Sequence, residues 1–126
     1  GHGAHGAGIA AAVGGNGSGI VGANPDALIM PVTVMQSDGT GDVATIIKGI
    51  DYAVANGADI ISMSFGSYGE SKAEEQALGR AYQKAVLVAA AGNDGMCLNH
   101  AHPEEDKWVL HRCILVLTLL CLVFRQ

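Results

Sequence analysis

Residues 42–65 read DVATIIKGIDYAVANGADIISMSF, and the first half of this stretch has the pattern of an amphipathic helix. Five apolar side chains fall on one helical face: Val43, Ile46, Ile47, Ile50 and Val54. Asp42 is a residue type that caps helix N-termini, and the Asn56-Gly57 pair is typical of a helix end. We therefore expect a helix that begins after Asp42 and ends at Asn56.

The second half of the stretch, DIISMSF at residues 59–65, is an apolar run of strand length that ends at Gly66. Continuous apolar runs are typical of parallel strands, which are buried on both faces. ALIMPVTVM at residues 27–35 has the same character, although Pro31 argues against a central position because proline cannot donate to a β-ladder. AVLVAAAGN at residues 85–93 predicts a third strand of this type.

Two further helices complete an alternating order of elements. Residues 4–13 form a run of small residues that predicts a short helix ahead of the first strand. Ser71 and Glu74 have the spacing of a capping box, and the helix that follows has one apolar face. That face consists of Ala77, Leu78, Ala81 and Ala85. The alternation of helix and strand predicts an α/β fold with a parallel sheet and right-handed crossovers.

A parallel sheet also predicts where a ligand would bind. The carboxyl ends of parallel strands lie along one edge, and open α/β sheets bind ligands in the crevice outside that edge. Three glycine-rich segments follow the three predicted strands, at residues 39–41, 64–66 and 92–93. We therefore expect these three segments to converge on one crevice.

The composition fits a single globular domain and gives little evidence about partners. The chain has 126 residues, of which 49% are hydrophobic, and 18 are glycine. Its formal net charge of −5 argues against nucleic acid as a partner. The three cysteines, Cys97, Cys113 and Cys121, match no zinc or disulfide spacing. The sequence makes no prediction of oligomeric state.

Three motifs together resemble those of the subtilisin-like serine peptidases, peptidase family S8. GHGAHGAGIAA at residues 1–11 resembles the histidine motif of that family, which reads approximately H-G-T-H-V-A-G. NGADIISMSFG at 56–66 resembles the strand before its specificity pocket, and VLVAAAGNDG at 86–95 resembles its oxyanion-asparagine segment. The resemblance implies an incomplete three-layer parallel-sheet fold. It implies a partial peptidase domain at residues 1–95, followed by a divergent loop and apolar tail at 96–126.

The same resemblance implies the roles of individual residues. His2 matches the general base, which takes a proton from the nucleophilic serine and returns it to the leaving amine. Asn93 matches the side-chain donor of the oxyanion hole. His5 is expected to be structural, packed or hydrogen-bonded one turn after His2. The small residues that follow His2 are expected to let the helix lie close to the sheet.

The resemblance also implies a cleft for a polypeptide substrate, and an extracellular or cell-envelope location. Gly39, Thr40 and Gly41 match the segment whose backbone pairs with an extended peptide. Ser64, Phe65 and Gly66 match one wall of the cleft, and Ala91 with Gly92 the other.

No cofactor is required by these motifs. The pair His2 and His5 could be half of a metal site, but it lacks the glutamate of H-E-x-x-H. GNGSG at residues 15–19 lacks the lysine of a phosphate-binding loop. In the family this region often forms a calcium-binding loop, which leaves a structural calcium ion open, with Asn16 as its side-chain ligand.

Two members of the catalytic triad have no counterpart in the sequence. In the family the aspartate lies on a strand before the histidine motif, and the serine lies in a segment like G-T-S-M-A after the asparagine. Neither segment occurs in these 126 residues, and Ser62 and Ser64 belong to the strand and the cleft wall. We therefore expect the chain alone to be inactive. The alternative is a non-catalytic remnant that binds peptides or has a structural role.

The apolar tail, CILVLTLLCLVF at residues 113–124, leaves several interpretations open. It is shorter than the roughly 20 residues of a membrane span, and extending it backwards would place His111 and Arg112 in lipid. A membrane partner is therefore not expected, although a small membrane-anchored protein is one interpretation. A buried segment is a second. A third is sequence foreign to the family, as after a frame shift.

Overall fold

A computed structural model of the chain describes residues 1–66, 71–90 and 119–123. The elements are α1 (His2–Ala11), β1 (Leu28–Val32), α2 (Val43–Ala55), β2 (Ile60–Met63), α3 (Lys72–Tyr82), β3 (Val86–Ala89) and β4 (Leu119–Val123). The six predicted helices and strands all occur, in the predicted order. The α/β fold class is confirmed.

Helix α2 begins and ends where the sequence predicts. The carboxylate of Asp42 accepts hydrogen bonds from Thr45 Oγ1 at 2.6 Å and from Thr45 N at 2.9 Å. These hydrogen bonds, from the side chain first and then from the backbone, lower the pKa of Asp42. At the other end Gly57 has φ of 77°, a left-handed conformation that glycine adopts without steric cost.

Helix α3 packs beside α2 through small side chains. Ser71 Oγ accepts a hydrogen bond from Glu74 N at 3.3 Å, which confirms the predicted N-terminal cap. Ala77 and Ala81 are buried. Arg80 donates to the Asp51 carboxylate at 3.1 Å, an exposed ion pair between the two helices.

The sheet has one strand beyond the three that the sequence predicts. The order of the described strands is β1-β4-β2-β3, in which β2 and β3 are parallel and β4 is antiparallel to both of its neighbours. The apolar tail thus supplies a strand between β1 and β2, and the sheet is mixed instead of wholly parallel. Among the described strands β1 lies at an edge, which accommodates Pro31. The division at residue 95 stays a prediction.

The core lies between the sheet and the pair α2 and α3. Ile50 of α2 and Ile61 and Met63 of β2 are fully buried. Val32, Val34, Ile46, Ala53, Ala58, Phe65, Ala81 and Ala85 join them in one buried cluster. No helix among the described residues is long and apolar enough to span a membrane.

Candidate active site

Two of the three glycine-rich segments follow strands that end on the same side of the sheet, the side of their carboxyl ends. Val32, at the end of β1, and Met63, at the end of β2, are both paired with Leu119 of β4. The chain therefore leaves β1 and β2 at the same position along β4. Ala90 N donates to the Met63 carbonyl at 3.1 Å and extends the pairing of β2 and β3 to this edge. Ala91, Gly92 and Asn93 lie outside the described residues.

The segment that contains residues 39–41 forms a tight turn before α2. Gln36 N donates to the Thr40 carbonyl at 2.7 Å, and Gly39 has φ of 87°. The Asp38 carboxylate accepts hydrogen bonds from Thr40 N at 2.8 Å and from Thr40 Oγ1 at 2.7 Å. These two bonds, the backbone bond first, lower the pKa of Asp38. Asp38 therefore orders the turn in its ionised form.

Gly41 lies at a close approach within this segment. A Cβ at this position would overlap the Met35 sulfur and lie 3.0 Å from the Val34 carbonyl oxygen. Gly41 is exposed, and within residues 1–66, 71–90 and 119–123 its backbone makes no hydrogen bond. Pairing of its N–H and C=O groups with another chain is therefore compatible with the described residues.

In the segment after β2, Ser64 and Gly66 are small, and the one large side chain, that of Phe65, is buried. Phe65 is only 4% exposed and its side chain belongs to the core. Its place in a cleft wall stays a prediction, and it concerns the backbone of this residue. Ser64 and Gly66 on either side of it are half-buried. The alternating burial of Ile61, Met63 and Phe65 shows that one face of this stretch packs inward up to the site.

His2 is the first residue of α1 and is half-buried. Its Nδ1 atom is buried, and among the described residues it is the one buried side-chain polar atom without a hydrogen-bond partner. A buried polar group left without a partner costs about 1–3 kcal/mol. Nδ1 therefore needs a hydrogen-bond partner that the described residues do not provide.

The structure corrects the expectation for His5. Its side chain was expected to be packed or hydrogen-bonded, but it is exposed and makes no hydrogen bond to the described part of the chain. Helix α1 has no fully buried residue in this structure, and His5 is one of its exposed residues. The two histidines thus differ in environment as well as in motif position.

The loop between α1 and β1 returns to the end of the helix. Ala23 N donates to Ile9 O at 3.0 Å, and Asn24 N donates to Ala10 O at 2.9 Å. Gly22 is buried at the crossing, where a Cβ would overlap backbone atoms of Ala11 and Ala12. These contacts close the loop and satisfy carbonyls that the helix end leaves free.

The same loop provides little for a metal ion. Asn16 Oδ1 accepts a hydrogen bond from Ser18 N at 3.1 Å, and residues 12–22 contain no carboxylate. Calcium takes 6–8 oxygen ligands, among which carboxylates are usual. No group of three or more His, Cys, Asp or Glu side chains in the described residues could hold a metal ion. Calcium binding by Asn16 stays a prediction, and no catalytic step depends on it.

One ordering residue was missed from the sequence. Asp38 holds the turn at residues 36–40 and is not among the predicted site residues. The signal that could have found it is the Asp-Gly-Thr sequence, because aspartate side chains accept hydrogen bonds from the backbone two residues on.

The family model of the subtilases matches residues 1–111. The chain belongs to the subtilase family. It is 46% identical over 96 residues to the minor extracellular protease Epr of Bacillus subtilis and, over the same length, to thermitase of Thermoactinomyces vulgaris. It is also 46% identical over 110 residues to the cell wall-associated protease of Bacillus subtilis.

These subtilases are much longer than the chain. The alignments cover 75% of the chain but 15% of the Epr protease and 34% of thermitase. The alignment with the cell wall-associated protease covers 87% of the chain and 12% of that protein. The chain therefore corresponds to a part of a subtilase sequence.

Proposed function

We propose that the chain is a portion of a subtilisin-like serine endopeptidase, in which His2 is the general base for peptide-bond hydrolysis. The observation that carries the proposal is the environment of His2 Nδ1, which is buried and has no partner among the described residues. In a serine-peptidase triad, Nδ1–H donates to an aspartate while Nε2 faces the nucleophilic serine. A histidine held with a buried, unpaired Nδ1 fits a site whose aspartate comes from elsewhere.

The position of α1 supports this role. Hydrogen bonds from Ala23 and Asn24 hold the end of α1 near the start of β1, and α1 contacts both β1 and β4. A helix of 10 residues is about 15 Å long, similar to the strand of 5 residues beneath it. We infer that α1 runs antiparallel to β1 and brings His2 toward the edge where Val32 and Met63 end.

Segments at that edge support binding of an extended polypeptide. Gly41 is exposed and offers backbone groups without a described partner. Thr40 and Gly39 belong to the same ordered turn, and Ser64 and Gly66, which directly follow β2, are half-buried. A substrate would add as a strand through main-chain hydrogen bonds. Asn93, with Ala91 and Gly92, is proposed as the oxyanion side of the cleft.

The 126 residues alone are proposed to lack peptidase activity. His2 can remove a proton only from a hydroxyl within hydrogen-bond reach, about 2.6–3.2 Å. The sequence contains no G-T-S-M-A-like segment to supply that hydroxyl. Neither Ser62 nor Ser64 is proposed as a nucleophile, because both belong to β2 and the residues directly after it.

An extracellular or cell-envelope location is proposed on the same grounds. The relatives include a protease named as extracellular and one named as cell wall-associated. Peptide-bond hydrolysis outside the cell fits both names.

A chimera would test the catalytic proposal. Residues 1–90 would replace the aligned segment of thermitase, which supplies the rest of its own triad, and hydrolysis of a chromogenic peptide would be measured. His2→Ala should abolish turnover, whereas His5→Ala, one helical turn away and exposed, should leave kcat/KM nearly unchanged. Equal losses in two variants that fold with the same melting temperature would refute the assignment of His2.

A further inference from the structure

The chain contains two Asn-Gly pairs in exposed positions. Asn16-Gly17 lies in the loop that leaves α1, and Asn56-Gly57 lies at the end of α2. All four residues are exposed to solvent. The two pairs share the Asn-Gly dipeptide but differ in the residues that flank it, so the effect of the fold is separated from that of local sequence by comparing the sites in the folded and the unfolded chain.

An asparagine followed by glycine can lose its side-chain amide without an enzyme. The backbone nitrogen of glycine, which has no Cβ to obstruct it, attacks the asparagine Cγ atom. A bond forms between that nitrogen and Cγ, the bond between Cγ and Nδ2 breaks, and ammonia leaves with the proton that the glycine nitrogen has lost. Water then opens the succinimide ring to give aspartate or isoaspartate. The only co-reactant is water.

At Asn56 the fold holds both nitrogens that take part. Asn56 Nδ2, the nitrogen that must leave, donates a hydrogen bond of 2.8 Å to the Tyr52 carbonyl. Gly57 N, the nitrogen that must attack, donates a hydrogen bond of 3.2 Å to the Val54 carbonyl. Both bonds form part of the C-terminal cap of α2, so the reaction requires this helix end to open.

At Asn16 neither nitrogen is held. In the described part of the chain, Asn16 Nδ2 and Gly17 N make no hydrogen bond. The one bond at this side chain is to Oδ1, which accepts from Ser18 N at 3.1 Å. A donor on Oδ1 draws electron density from Cγ and so favours attack there.

We propose that Asn16 is a site of spontaneous deamidation and that the fold protects Asn56 from the same reaction. The product adds a carboxylate to a loop, residues 12–22, that has none. Isoaspartate would also insert a backbone carbon between Asn16 and Gly17. The inference rests on hydrogen bonding at the two sites and is independent of the peptidase function.

The test is a comparison of the two sites within one molecule. The full chain is incubated at mildly alkaline pH, and peptide mapping by mass spectrometry measures conversion at Asn16 and at Asn56, with isoaspartate separated by chromatography. We expect conversion at Asn16 to be faster by about tenfold or more, because two hydrogen bonds must first break at Asn56. In concentrated urea, where the α2 cap is lost, the two rates should converge.

Two matched variants check that each measured conversion is assigned to the correct asparagine. Asn16→Gln should remove conversion in the loop and leave the rate at Asn56 unchanged, while Asn56→Gln should leave the rate at Asn16 unchanged. Equal rates at the two sites in buffer, or a faster rate at Asn56, would overturn the proposal. A difference between the sites that persists unchanged in urea would also overturn it, since local sequence and not the fold would then be the cause.

Discussion

The N–H of Gly22 donates a hydrogen bond of 2.8 Å to the carbonyl oxygen of Ala12, where the loop crosses the end of α1. This crossing brings two backbone segments so close that there is no room for a Cβ atom at Gly22. This hydrogen bond, with those from Ala23 and Asn24, joins the loop before β1 to the end of α1. Gly22 therefore holds the end of α1 that is opposite His2.

We predict that Gly22→Ala destabilises the chain by about 1–3 kcal/mol, because the new methyl group would overlap backbone atoms that cannot rotate away. Gly79→Ala is the matched control. Gly79 lies on α3, is exposed and has nothing within 4 Å of a Cβ, so alanine should stabilise the helix by about 1 kcal/mol. Chemical denaturation of both variants measures the two effects. A neutral Gly22→Ala variant would show that the crossing is looser than described.

Glu74 gives a prediction about pH. It is half-buried near the start of α3, and burial raises its pKa above the ordinary 4.5. Since the folded state favours the protonated form, ionised Glu74 destabilises the fold, and this cost grows as pH rises through and above 4.5. Glu74→Gln should therefore raise the melting temperature at neutral pH and change it little at acidic pH.

Glu75→Gln is the control for that experiment, because Glu75 is exposed on the same turn of α3. Glutamine is similar in size to glutamate and is also found at this position of a capping box, so the substitution at Glu74 removes the charge and changes little else. A lower melting temperature for Glu74→Gln at neutral pH would show that the carboxylate stabilises α3 instead.

Asp42 gives the opposite dependence on pH. Hydrogen bonds from Thr45 lower its pKa below the ordinary 3.8, so its contribution to stability is present above that value and lost as pH falls below it. Asp42→Asn should retain the cap and remove this dependence, whereas Asp42→Ala should lower the melting temperature at neutral pH. Thermal melts followed by circular dichroism across acidic pH would separate the variants. Equal melting temperatures for the Asn and Ala variants would contradict the capping role.

Local features of the fold could be predicted from the sequence, and a non-local one could not. The caps of α2 and α3 depend on residues within three positions of each other, Asp42 with Thr45 and Ser71 with Glu74. The position of β4 depends on pairing with strands far away in the chain, and an apolar run at 113–124 does not specify its partner. The sequence therefore predicted the helices and three strands, but not that the sheet would be mixed.

The candidate site, like the fold, could be predicted from the sequence only in part. Motif order singled out His2, and the structure adds a physical distinction between His2, whose Nδ1 is buried, and the exposed His5. The inward direction of Phe65 could have been read from its two-residue spacing with Ile61 and Met63. Asn93 and its neighbours lie outside the described residues, so their roles stay predictions.

The last prediction concerns the chain by itself. We expect that a fluorophosphonate probe, which reacts with activated serines, does not label the purified chain stoichiometrically. Activation requires a base within reach of the hydroxyl and an aspartate that fixes the base in the correct tautomer. The Nδ1 of His2 lacks a partner within the described residues, and no serine of the sequence lies in the motif of a nucleophile.

The thermitase chimera described above is the positive control, because it retains the serine of thermitase and should be labelled in a manner that His2→Ala abolishes. Any adduct on the chain itself would be located by mass spectrometry. Labelling of one serine that disappears in His2→Ala would mean that these 126 residues assemble a working nucleophile from a segment the sequence motifs do not mark. Weak labelling spread over several serines, unchanged in His2→Ala, would instead agree with a base that has no hydroxyl to activate.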